Sequence, residues 1–245
     1  MNERYSIVIT SCGRFDLLRE TMESLYAHLD WPPEKSVLIE DSATLGAEEV
    51  AREAPLPVEL LINERQCGQI ASIDRAYALI ETPYVFHCED DWLFFRKGFL
   101  AESFKVLHAH PNAAMVGLRA RDEINKLVRN SPVREVEGVK YFLHDPSLHP
   151  EYFSYSFNPG LRRMADYRKL APFAPIGGEA DISYAFKQAG FQNANLEVPA
   201  VRHIGDGRHV DDPEQPKRTK GGLARLRRSV DKRVTRLRRK FLKAD

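Results

Sequence analysis

Residues 84–91 read YVFHCEDD, an apolar, β-prone run that ends in three adjacent carboxylates. Thr82-Pro83 breaks any helix before it, so the run is a strand and Glu89-Asp90-Asp91 stands at its carboxyl end. Upstream, residues 70–80 place Ile73, Tyr77 and Ile80 at helical spacing, and VELLIN at 58–63 is a strand. Residues 48–53 read as a helix and SVLIE at 36–40 as a strand that runs into Asp41-Ser42. Leu18, Met22, Leu25 and Leu29 mark one face of a helix over 15–29, which Trp31-Pro32-Pro33 stops. YSIVIT at 5–10 is the first strand, broken by Ser11-Cys12-Gly13-Arg14. This alternation predicts an α/β fold: a mostly parallel open sheet with right-handed crossovers, flanked by helices, with its ligand site at the strands' carboxyl ends. Glu40-Asp41 and Glu89-Asp90-Asp91 both fall there.

Downstream, residues 99–109 read as a helix and 113–118 as a strand, followed by a polar stretch from 122 to about 149 with weak strand patterns at 133–139 and 141–143. An aromatic run at 152–158, Gly177-Gly178-Glu179, a helix over 181–189 and a strand over 196–201 complete the body. Residues 211–221, with two prolines and no periodicity, read as a linker. Leu223, Leu226, Val230, Val234, Leu237 and Phe241 then recur at steps of three and four on an arginine-rich segment, which predicts a basic amphipathic helix over 222–243.

The 245 residues are 43% hydrophobic, enough for one large α/β domain. No run reaches the roughly 18 apolar residues that span a bilayer, and the first residues carry no signal-peptide pattern, so a cytoplasmic location is expected. Cys12, Cys67 and Cys88 are odd in number and widely spaced, which argues against a disulfide framework or a zinc site. The net charge of +1 hides a polarised chain. Residues 217–245 hold thirteen Lys and Arg against Asp231 and Asp245, a surplus of eleven; the rest holds 23 basic and 33 acidic residues, a deficit of ten. A basic appendage on an acidic body points to an anionic surface.

Three carboxylates after an apolar strand must meet water, a cation or a basic partner, because burying them uncompensated costs several kcal/mol. Mg²⁺ and Mn²⁺ take oxygen ligands, commonly one or two carboxylates plus substrate phosphates. The bland alternative is a solvated acidic turn. The aromatic sequel Trp92-Leu93-Phe94-Phe95 and the second acidic cluster favour a site.

The opening strand, polar turn and helix (SIVITSCGRFDLLRETMESL, 6–25) and the block at 63–91 (NERQCGQIASIDRAYALIETPYVFHCEDD) resemble family 2 glycosyltransferases of the GT-A fold. The likeness covers about 5–105 well and 150–205 loosely. It implies a nucleotide-binding half at about 1–105 and an acceptor half at 106–210, within a domain spanning 1–210. It places Asp41 where that class contacts the nucleotide base, and the metal motif as Glu89-x-Asp91, with Asp91 the direct ligand and Glu89 on ribose or metal. Asp90, Thr10 and Gln69 fall in the same blocks as expected contacts to a nucleotide-sugar, UDP-linked as the commonest choice. A late histidine, here His203, completes the Mn²⁺ or Mg²⁺ shell in many such enzymes. The implied activity is transfer of a sugar to a glycan or lipid-linked acceptor in cell-surface polysaccharide or glycolipid synthesis.

The chemistry adds its own requirements. A departing nucleoside diphosphate carries charge that a metal stabilises, and an inverting transfer needs a carboxylate base opposite it. The resemblance, counted back from Ala189-Gly190, puts Glu179 at the base position and leaves Asp181 as the second candidate; the bland alternative makes Asp181 a helix cap and Glu179 a dipole partner. Arg14 and Arg65 are candidate phosphate contacts, since a guanidinium forks onto oxygen pairs. Asn158-Pro159-Gly160 and the aromatics before it either line the acceptor site or pack in the core. The tail is expected to dock on an anionic membrane from the cytoplasmic side; a protein partner is the other reading and nucleic acid the least favoured. Two further functions compete: nucleotidyl transfer onto a sugar phosphate, against which 11–14 are poor in glycine, and a non-catalytic nucleotide- or membrane-binding protein.

Overall fold

Seven buried residues, Tyr5–Ser11 (β1), form the spine of a nine-stranded sheet. The computed structural model describes residues 3–208, 210 and 239. Phe15–Ala27 (α1), Lys35–Glu40 (β2), Ala47–Glu53 (α2), Glu59–Ile62 (β3), Gln69–Tyr77 (α3) and Tyr84–Glu89 (β4) follow in the expected alternation. β3, β2, β1 and β4 lie side by side and parallel. Because both faces are covered, the apolar runs divide by parity. Ile7, Ile9 and Phe86 pack under α1 and Phe99–Ala109 (α4). Val8, Val37, Ile39 and Val85 pack under α3, Met164–Leu170 (α5) and Glu179–Gln188 (α6).

Beyond β4 the chain departs from simple alternation. Trp92–Phe94 (β5) leaves the sheet and pairs antiparallel with Val201–His203 (β11) in a separate ribbon. Ala113–Gly117 (β6) lies parallel to Gln192–Leu196 (β10). Between β4 and β6, antiparallel to both, runs Gly160–Arg163 (β9). Arg134–Val136 (β7) and Val139–Leu143 (β8) form a hairpin on the outer edge, turned by Glu137 and Gly138 at φ 48° and 79°.

The strand expected over 196–201 is split: Leu196 ends β10, Val201 opens β11, and residues 197–200 connect them, with Pro199, which cannot donate to a ladder, between the two. The helix expected over 15–29 ends at Ala27 and that over 70–80 at Tyr77. All three cysteines are free, and no described helix is long and apolar enough to cross a membrane. The linker at 211–221 and the helix at 222–243 lie outside the described residues, apart from Arg239.

Candidate active site

The three acids at the carboxyl end of β4 have three different environments. Asp90, 1% exposed, is tied to the loop after β1. Ser11 Oγ and Cys12 N–H donate to its Oδ2 at 3.1 and 3.3 Å, and Arg14 Nη2 pairs with its Oδ1. Burial pushes this carboxyl up, against the pull of Arg14. Asp91 shares Arg14 and adds an imidazole: its Oδ2 lies 2.7 Å from Arg14 Nη1 and 3.2 Å from His203 Nε2. The β5–β11 ribbon registers His203 opposite Trp92, whose ring meets the imidazole edge-on at 5.1 Å. Asp206 Oδ1, 3.1 Å from His203 Nδ1, orients the ring so that Nε2 faces Asp91. The returning loop presses close: a Cβ on Gly205 would stand 2.5 Å from Asp91 Oδ2.

Glu89 points the other way. Its oxygens accept from Gln69 Nε2 at 2.8 Å and Trp92 Nε1 at 3.1 Å. Burial, then the charge of Asp91, pushes its pKa up to about 7, with a further contribution from Glu179. Among the described residues no three His, Cys, Asp or Glu side chains gather as a cation cage. The arrangement fits a two-donor site, Asp91 Oδ2 and His203 Nε2, completed by phosphate oxygens as Mg²⁺ and Mn²⁺ accept. Arg14 must then turn away from Asp91.

At the end of β2, Asp41 is 4% exposed and fully engaged. It accepts from Asn63 Nδ2 at 2.6 Å, Cys67 N–H at 2.8 Å and Gly68 N–H at 2.9 Å, pinning the loop into α3. Glu40 is buried too; its Oε1 takes the N–H groups of Gly13 and Ser42, while Oε2 has no partner. Of the two acids, Glu40 has the oxygen left over. Thr10 sits across the ladder from Glu89, with Oγ1 buried and unpartnered. Arg65 is exposed, and no hydrogen bond or ion pair joins its side chain to these acids among the described residues. Burial, then the charges of Asp41, Glu40 and Asp90, raises Cys12 to about 12, which removes it as a nucleophile.

Glu179 opens α6 and is exposed; Ser156 Oγ (2.8 Å) and Phe157 N–H (3.3 Å) both donate to its Oε1. It borders a cavity of about 240 Å³ at the carboxyl ends of β6 and β10. Asp181 is otherwise occupied. Its Oδ2 accepts from Gly178 N–H at 3.1 Å, capping the helix, and its Oδ1 pairs with Arg239, which also reaches Glu151 and lies 4.6 Å over the Tyr184 ring.

The sequence profile described as Glycosyl transferase family 2 matches residues 6–170. The chain belongs to that family. The family 2 chain has the GT-A fold, and solved structures share its architecture at low identity. One is the mannosyltransferase PcManGT from Pyrobaculum calidifontis in complex with GDP-Man and Mn²⁺: TM-score 0.60, 16% identity, covering 94% of this chain and 61% of that one. Another is S. aureus TarS 1–349, also solved with UDP: TM-score 0.57, 14% identity, covering 81% of this chain and 59% of that one. This chain thus spans about three-fifths of each. No curated protein sequence matches it.

Among the residues singled out from the family 2 sequence, the fold gathers Arg14, Gln69, Glu89, Asp90, Asp91 and His203 around one strand end. Phe157 of the aromatic run belongs to the core, Asn158 and Phe153 line the cavity, and Tyr155 does both. The sequence reading passed over Asn193 and His144 in the cavity wall. The signal was present for Asn193: QNANL puts two asparagines on one face of an otherwise apolar strand.

Proposed function

We propose that the chain transfers a sugar from a nucleotide-sugar, UDP-linked, to a hydroxyl of a glycan or lipid-linked acceptor in cell-surface polysaccharide or glycolipid synthesis, with inversion. One observation carries this: a cation-competent pair, Asp91 and His203, stands at the end of β4, while a separate carboxylate, Glu179, borders a cavity at the carboxyl ends of β6 and β10. A bound Mn²⁺ or Mg²⁺ supplies charge neutralisation at the leaving diphosphate. Arg14, freed from Asp91, forks onto phosphate oxygens. Glu89 and Gln69 hold the ribose side, and Asp41, which braces the loop into α3, stands on the base side. Ser156 and Phe157 load Glu179 Oε1, so Oε2 takes the acceptor's proton. The capped and paired Asp181 is a positioning group for α6 in this reading. The basic segment at 222–243 holds the enzyme on the cytoplasmic face of an anionic membrane, next to a lipid-linked acceptor.

Thermal shift and turnover over a panel of nucleotide-sugars, with and without Mn²⁺, test it. Asp91→Asn should abolish the Mn²⁺-dependent shift, and Glu179→Gln should keep the shift while turnover falls about 10²–10⁴-fold. Intact metal-dependent binding and turnover in Asp91→Asn would overturn the site.

A further inference from the structure

Strand β10 reads QNANL: Ala194 and Leu196 join the core cluster, and Asn193, Ala194 and Asn195 border the cavity. On β6, the asparagines' register partners Met115 and Gly117 complete the floor. Amides on a covered face are costly unless every polar atom is used. Asn195 is used: its Nδ2 donates to Arg119 O at 2.9 Å and Leu196 O at 2.7 Å. Asn193 is not. It is 5% exposed, and its Oδ1 has no hydrogen-bond partner. In the same lining, His144 Nε2 is also buried and unpartnered.

The backbone fixes these two groups relative to each other and to the aromatic wall. Asn193 N–H donates to Phe153 O and His144 N–H donates to Asn193 O, both at 2.8 Å. Two orphan polar atoms on one braced cavity, with Tyr152 and Phe153 beside them, describe a preformed pocket lacking its ligand's hydrogen bonds. The charge of the lining is nearly balanced. Arg119 lies over the Trp92 ring at 5.3 Å, donates through Nη2 to Glu123 O at 2.8 Å and has Glu123 Oε2 3.9 Å from its Nε, which has no hydrogen-bond partner, so its charge is offset by a neighbouring carboxylate rather than free. Burial, then the charge of Arg121, lowers His144 to about 4 and keeps it neutral. Glu179, at the border, repels anions. At about 240 Å³ the space is below the roughly 300–1,000 Å³ of pockets for drug-sized ligands, which suits a single ring.

We infer that this cavity seats the acceptor's terminal sugar as an uncharged pyranose, with Asn193 and His144 hydrogen-bonding its hydroxyls and selecting against acidic or phosphorylated acceptors. The inference rests on the transferase reading of Glu179. Hydroxyls donate and accept alike, so they satisfy an amide oxygen and either tautomer of the imidazole. Tyr152 and Phe153 supply apolar faces for the ring's C–H groups.

Saturation-transfer NMR on the full chain, with methyl hexopyranosides, a methyl hexuronide and a hexose phosphate as probes, tests it. The neutral glycosides should give the signals. Asn193→Leu should cut them at least about fivefold while raising the melting temperature a few degrees, because an unpaired buried amide is replaced by an apolar group of similar size. His144→Phe should give the same loss of signal, which covers the case of Asn193→Leu failing to fold. A stronger signal from the hexuronide or the phosphate, no signal from any probe, or signals that survive both substitutions would overturn the inference. A UDP-plus-Mn²⁺ thermal shift on the same samples separates the two readings: its loss with glycoside signals intact sinks the transferase site alone, and the reverse sinks the cavity alone.

Discussion

Gly205 and His144 show how much of the site depends on single atoms. Gly205 lies where the loop after β11 presses on Asp91, and any Cβ there meets Asp91 Oδ2 at 2.5 Å. Gly205→Ala must push either Asp91 or the His203 loop aside. We expect an intact fold by circular dichroism and a loss of about 10–100-fold in Mn²⁺ affinity or activity, the usual size for damage to a ligand's support. Unchanged Mn²⁺ titration would show that Asp91 and His203 act separately. His144 sets a pH dependence whose sign follows from its depressed pKa. Between about 4 and its ordinary 6.5 the unfolded chain binds a proton that the folded chain refuses, so stability falls as pH drops through that window. Above 6.5 the contribution is flat. The full effect is about 3 kcal/mol, and His144→Phe should shallow the acid limb of a denaturation series between pH 7 and 4.5. An identical limb would place the acid sensitivity elsewhere.

At the scale of elements, the half of the sheet formed by β1 to β4 was legible because its strands are buried on both faces. YSIVIT, SVLIE and YVFHC are continuous apolar runs, and their positions before polar turns locate the acids. Strand β9 was not legible: GLRR is four residues with two arginines, read antiparallel into a sheet whose pattern announces parallel strands. Arg162 is buried there only because Gly160 O, Ser156 O and Asn158 O accept from its guanidinium, a compensation that depends on the tertiary fold. The cavity-lining asparagines of β10 were missed because they weaken the apolar signal that finds a strand. The β5–β11 ribbon, which brings His203 to Asp91, consists of two three-residue strands 107 positions apart at their closest, too short for periodicity to register. Because β9 joins the two halves, its tightest point should be fragile. A Cβ on Gly160 would lie 2.4 Å from Val116 O and 2.9 Å from Met115 Cε. Gly160→Ala should therefore cost about 3 kcal/mol, a fall in melting temperature of roughly 6–12 °C. A fall under about 2 °C would mean that β6 and β9 part without cost.

For the whole molecule, the decisive quantity is the separation of charge between an acidic body and residues 217–245, whose surplus of eleven positive charges reverses the sign of the chain. That segment has acidic sites of its own to meet: Arg239 pairs with Asp181 and Glu151 and lies over Tyr184, on the helix that Glu179 begins. Anionic lipid and α6 therefore compete for the same kind of contact. Each Lys or Arg near an anionic surface contributes about 1 kcal/mol, so thirteen of them outweigh one arginine's pairing on α6. The full chain should co-sediment with vesicles rich in phosphatidylserine and leave them in about 1 M salt, where the Debye length falls to about 3 Å. It should stay in solution with phosphatidylcholine alone. A chain ending at Pro216 carries a net charge of about −10 and should bind neither; if it still pellets with the anionic vesicles, the docking surface lies on the body rather than on the basic segment.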